Sequence, residues 1–130
     1  MAGEERWRKV TIVLAIGAAY DLSFAVAILG LTRPAAALLG LPVPDDPVYL
    51  YLNGVFLLLL AGVYGAAARE PERYRAVAPI SAGGRVLGFG LFLWAWVGGR
   101  PSSFLALGLM DLGLAVATFA AWRRAVALSD

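Results

Sequence analysis

The run VTIVLAIGAAYDLSFAVAILGL, Val10–Leu31, decides the fold: it is apolar throughout apart from Asp21 and a few small or uncharged polar residues. It is close to the roughly 20 residues a helix needs to cross the hydrocarbon core of a bilayer. Three further segments share its character, Val48–Ala68, Val77–Val97 and Phe104–Trp122. The stretches between them cannot continue a membrane helix. Thr32–Pro47 carries Pro34, Pro42, Pro44 and Pro47 with Asp45 and Asp46, and its apolar part, Ala35–Leu39, is expected to form a short interfacial turn. Arg69–Ala76 is strongly charged, while Gly98–Ser103 is short and ends in the helix-start signal Pro101-Ser102-Ser103. Short connections make consecutive helices antiparallel neighbours. The expected fold is therefore all-α: a single transmembrane domain over residues 1–130, an integral membrane four-helix bundle in up-down-up-down order.

Composition points the same way. Of 130 residues, 61% are hydrophobic and 15% charged, and the mean hydropathy is +0.76. A soluble domain runs about 45–50% apolar and about 25% charged. Built from this chain, it would expose the large apolar patches that soluble proteins avoid. Cys and His are both absent. That excludes disulfides, thiolate chemistry, imidazole bases and the ordinary zinc, haem and iron–sulfur ligand sets, so no metal or cofactor is expected. The net charge is +2 and the pI about 9.3. Its basic residues cluster beside apolar runs, the pattern of a topology signal, so the expected partner is the lipid bilayer and not nucleic acid.

Arg6, Arg8 and Lys9 precede the first apolar run in the manner of a signal peptide. The run is too long for the usual signal core and no clear A-x-A site follows, so it is expected to be a retained helix that doubles as the insertion signal. Arg6, Arg8, Lys9, Arg69, Arg73, Arg75, Arg123 and Arg124 fall on one side of the expected bundle, against Arg33 and Arg100 on the other. The positive-inside rule then puts both termini in the cytoplasm. An aromatic belt is expected to match, with Trp7, Tyr74 and Trp122 at the inner interface and Tyr49, Tyr51 and Trp96 toward the outer one. Small residues at four-residue spacing, Ala15/Ala19, Ala61/Gly65 and Gly84/Gly88, are candidate close-approach points between helices.

Three charged residues interrupt the apolar segments. Counted at about 1.5 Å per residue, Asp21 and Asp111 each lie roughly 16 Å, and Arg85 roughly 12 Å, from the inner ends of their helices. All three thus share a depth near the bilayer centre. A lone charge there costs about 2.5–3.5 kcal/mol, so the expected remedy is mutual pairing, with the guanidinium fork of Arg85 between the two carboxylates. One arginine cannot neutralise two acids, which makes the cluster a titratable site able to hold a proton. Gly17 beside Asp21 and Gly88 beside Arg85 leave room for a partner or a ligand. Asn53 and Tyr49 on the second helix, with Tyr20, are expected to cap the cluster from the outer side. Gly88-Phe89-Gly90 lies inside a membrane helix and is no phosphate loop. The similarity of Asp21-Leu22-Ser23-Phe24-Ala25-Val26-Ala27 to Asp111-Leu112-Gly113-Leu114-Ala115-Val116-Ala117 joins first helix to fourth. A tandem duplication of helix pairs would join first to third, and the match reads as coincidence.

With these motifs laid out, the chain resembles the small four-helix bacterial membrane proteins of the DoxX-like kind over nearly its whole length. The resemblance rests on the Pro-bearing segment from Arg33-Pro34 to Gly40-Leu41-Pro42 and on Tyr51-Leu52-Asn53-Gly54 opening the second helix. It rests further on Gly84-Arg85 in the third helix, and on Asp111 following Gly99-Arg100-Pro101, where such proteins more often carry Glu. Most of them have no assigned activity, so the resemblance implies the fold more than the function. High Ala, Gly and Arg content points to a GC-rich bacterial source, and the expected location is the cell inner membrane. Three functional readings follow. The cluster binds or moves a proton or a small or lipid-like ligand. Alternatively, it is a purely structural feature of an accessory subunit or homo-oligomer. In the third reading, the chain is a small membrane enzyme acting on a hydrophobic lipid or isoprenoid, with Asp21 or Asp111 as general acid or base.

Overall fold

The computed structural model describes residues 2–129. It is all-helical: α1 (Ala2–Gly30), α2 (Thr32–Leu39), α3 (Val48–Arg69), α4 (Val77–Val97) and α5 (Ser102–Ala127). The four long helices, α1, α3, α4 and α5, are each long and apolar enough to cross a membrane. The chain is a multi-pass membrane protein. Two hairpins, α1/α3 and α4/α5, make the closest packing, and α1 against α5 joins them, while α3 and α4 touch at few points. The ring around the bundle therefore runs α3–α1–α5–α4, with its weakest seam between α3 and α4.

Each long helix buries a stripe of residues at spacings of three and four, the signature of one helical face. On α1 that stripe is Trp7, Val10, Leu14, Gly17, Asp21 and Ala25. It explains why α1 begins at Ala2, two turns before the apolar run. Trp7 is 3% exposed and sits with Val10, Leu14, Ala67, Ala68, Ala78, Ala121 and Ala125 in a core fed by all four long helices. Trp7 thus packs inside the bundle. Burying so large a ring draws the charged N-terminal segment into helix. By the same logic α5 runs past Trp122 to Ala127, because Ala125 is wholly buried. The lipid-facing sides carry large apolar residues in the open, such as Leu59, Leu87, Leu91 and Val116.

The first connection is more ordered than expected. Pro34 stands in the first turn of α2, where a missing N–H breaks no helical bond. The hydroxyl of Thr32 donates to the carbonyl of Ile28, tying α2 to the end of α1. Gly40 ends α2 in the left-handed region at φ 64°. Leu41 N–H then donates to Ala36 O at 2.8 Å, closing a Schellman-type cap. The charged α3–α4 connection is an exposed turn that pairs Arg73 with Glu70 at 3.1 Å and holds Arg6 of α1 through Glu72 at 2.9 Å.

The close-approach points differ from those the spacing suggested. Ala15, Ala19 and Gly84 are exposed. A Cβ at Gly65 or Gly84 would meet nothing within 4 Å. The tight contacts fall at Gly54, where a Cβ would come 2.9 Å from Ile28 Cγ2 and 2.9 Å from Leu29 Cγ, and at Gly108, 3.1 Å from Phe92 Cβ. Gly54 seals α3 on α1 and Gly108 seals α5 on α4. Of the spacing pairs, Ala61 is buried on α3 and Gly88 makes room for a side chain described next.

Candidate functional site

Asp21 belongs to the buried stripe of α1, between Gly17 and Ala25. Arg85 closes the buried stripe of α4 after Ala78, Ser81 and Ala82. Asp111 falls on the α5 stripe between Gly108 and Ala115. The periodicity that makes each helix amphipathic thus aims all three charges at the bundle axis. They meet there. Arg85 Nη1 donates to Asp111 Oδ1 at 3.1 Å, and Nη2 donates to Asp21 Oδ2 at 3.2 Å. Nη2 also reaches the Gly17 carbonyl oxygen, a long contact at 3.4 Å. The fork therefore ties α4 to α1 across the diagonal of the bundle and to α5 alongside it.

Burial is uneven within the cluster. The side chains of Asp21 and Arg85 are 4% and 7% exposed, that of Asp111 14%. Among the described residues, Arg85 is the sole side-chain donor to either carboxylate. Two carboxylates against one guanidinium leave a formal sum of −2 + 1 = −1 when both acids are ionised. A second oxygen on each carboxylate has no side-chain donor, so the site retains acceptor capacity.

Glycine at two positions admits the charged groups. A Cβ on Gly17 would stand 3.1 Å from Arg85 Nη2, and one on Gly88 2.9 Å from Asp111 Oδ2. Two tyrosines flank the guanidinium. Arg85 Cζ lies 5.6 Å from the ring centroid of Tyr20 and 5.6 Å from that of Tyr64. Both are within the range where a ring face attracts a cation. Tyr64, 7% exposed, is a member of the site that sequence reasoning passed over. Its signal was the α3 register, since Tyr64 recurs with Ala61 and Ala68 at spacings of three and four. With it, all four long helices contribute to the site.

Asn53 and Tyr49 do not join. Tyr49 is 81% exposed and Asn53 is exposed as well. The reason is angular: the buried face of α3 passes through Gly54, and on a helix with 3.6 residues per turn Asn53, one residue away, points about 100° off it and Tyr49, five away, about 140° off it. Tyr20 is half-buried, packs on Phe24 with ring centroids 4.8 Å apart, and does reach the cluster. No group of three or more His, Cys, Asp or Glu side chains that could hold a metal ion occurs among the described residues.

Comparison of the chain with protein-family models, with curated proteins and with solved structures finds no match in any of the three.

Proposed function

We propose that this chain is a small multi-pass protein of a bacterial inner membrane whose Asp21–Arg85–Asp111 cluster binds or moves a proton or a small or lipid-like ligand. The observation that supports this reading most is the charge imbalance: two acids share one guanidinium inside the bundle. A cluster that served only to hold helices together would need one acid per arginine, and a surplus carboxylate deep in hydrocarbon is costly to keep for that purpose. The surplus acid takes a proton or receives a donor from a ligand. The flanking rings of Tyr20 and Tyr64 suit a flat or lipid-like group beside the guanidinium.

Orientation and kinship belong to the same proposal. The basic residues of both termini and of the α3–α4 connection gather at one end of the bundle, which the positive-inside rule puts in the cytoplasm. The DoxX-like resemblance, carried by Tyr51-Leu52-Asn53-Gly54, Gly84-Arg85 and Asp111, fits a protein of this size and membrane.

Infrared difference spectroscopy on the full chain in lipid vesicles tests the reading as pH is stepped. It expects one aspartic carboxyl band that responds to pH and is lost in both Asp21→Asn and Asp111→Asn, since either replacement leaves a balanced Arg–Asp pair. If no carboxyl in the bundle changes protonation and both variants merely lower thermal stability, a purely structural cluster is the correct account.

A further inference from the structure

At the basic end of the bundle a groove of about 270 Å³ runs between α1 and α5 on the lipid-facing side. Its walls are apolar, Ile12 from α1 with Ala117, Ala120 and Ala121 from α5, and its end is marked by two cations, Lys9 and Arg124. The shape follows from side-chain size: α5 presents methyl groups where its neighbours Val116 and Phe119 are bulky and exposed. From Ala117 to Arg124 the groove extends about 10 Å along the helix at 1.5 Å per residue, so it starts in hydrocarbon and ends at the headgroup level. Lys9 and Arg124 take part in no ion pair among the described residues, unlike Arg6, Arg73 and Arg85.

We infer that this groove is a binding site for an anionic phospholipid, with the phosphate held between Lys9 and Arg124 and one acyl chain laid along the alanine wall. Two cations at the mouth of an apolar channel complement a lipid that is negative at one end and apolar along the other. Arg8 and Arg123, exposed and adjacent in sequence, add to the local positive field. A second copy of the chain is a poor occupant. A two-fold contact centred here would bring two Lys9–Arg124 pairs together, whereas specific interfaces deplete charge from their centres. The site is separate from the Asp21–Arg85–Asp111 cluster, which shares none of its lining residues.

The test uses the full chain purified in a neutral detergent and titrated with phosphatidylglycerol or phosphatidylcholine, with bound lipid counted by native mass spectrometry. Phosphatidylglycerol should be retained preferentially. The double variant Lys9→Gln/Arg124→Gln should weaken its binding on the order of twentyfold, the scale of two basic residues near an anionic surface. Ala120→Phe, which fills the groove at an exposed position, should weaken phosphatidylglycerol with all charges intact. Arg33→Gln/Arg100→Gln, at the opposite end, should change nothing. Thermal unfolding without added lipid checks each variant's fold, and the single variants Lys9→Gln and Arg124→Gln, each about fivefold weaker, stand in should the double variant fail to fold. Equal retention of the two lipids overturns the inference. So does an unaffected double variant, displacement of the lipid by soluble glycerol phosphate alone, or a dimer whose interface covers the groove.

Discussion

Replacing the two aspartates one at a time and then together should give strongly non-additive losses, because the cluster has one acid more than its arginine needs. In Asp111→Asn the guanidinium keeps Asp21 at 3.2 Å, and in Asp21→Asn it keeps Asp111 at 3.1 Å. Each single variant loses one charged hydrogen bond but leaves a neutral pair, a cost of about 1 kcal/mol. The loss should be larger for Asp21, whose side chain is 4% exposed against 14% for Asp111. The double variant leaves Arg85 in the bundle interior with no counter-charge, facing only neutral acceptors, the two Asn side-chain oxygens and the Gly17 carbonyl, and two aromatic rings. A lone charge at that depth costs about 2.5–3.5 kcal/mol, against about 2 kcal/mol for the two singles together, so the double loss should exceed their sum by about 0.5–1.5 kcal/mol. Arg85→Met leaves both acids without a donor and should rank with the double variant. The triple variant Asp21→Asn/Arg85→Met/Asp111→Asn removes every charge and should recover much of the loss. Reversible unfolding in mixed micelles, read by circular dichroism, measures all of these. Additive single and double losses, or a triple variant less stable than Arg85→Met, would refute the reasoning.

Other outcomes follow from the packing. Gly54→Ala should cost about 1–3 kcal/mol by overpacking against Ile28 and Leu29, whereas Gly84→Ala, with open space around it, should be neutral or stabilising by up to about 1 kcal/mol; the same unfolding assay separates them. Trp7→Ala should cost about 3–5 kcal/mol, since Trp7 is buried among residues of all four long helices, and it should shorten α1 as seen by hydrogen exchange. Glu72→Gln breaks the ion pair with Arg6, but Glu72 is 65% exposed, so stability should change by less than about 1 kcal/mol. In intact cells, an impermeant thiol reagent should label Asp46→Cys and spare Glu72→Cys and Ser129→Cys; the reverse pattern would invert the proposed orientation.

Hydrophobic length made the four spans readable, because a bilayer imposes a length that few other environments demand. It could not show where the helices end. α1 reaches back to Ala2 because Trp7 buries against partners from other helices, a tertiary effect invisible in a window of hydropathy. The meeting of Asp21, Arg85 and Asp111 was legible because three charges at one depth in hydrocarbon have few alternatives to each other. Tyr64 was not, since a tyrosine in an apolar run carries no such compulsion. Asn53 and Tyr49 were misjudged because depth was weighed without the helical angle that turns them away from the axis. The close glycines escaped for a related reason: four-residue spacing marks a face but not which face meets a neighbour. Gly54 and Gly108 could be picked out only from what lies opposite them.

The central claim is that one guanidinium holds both acids inside the bundle, and solid-state NMR on the full chain in lipid bilayers measures it directly. Among the described residues, the Arg–Asp ion pairs are those of Arg85 with Asp21 and with Asp111. Dephasing of carboxyl ¹³C-labelled aspartate by guanidinium ¹⁵N-labelled arginine is assigned to this site by the two Asp→Asn variants. The account predicts short contacts from two aspartates, one of which disappears in Asp21→Asn and the other in Asp111→Asn. A signal from a single aspartate, or from none, would contradict it.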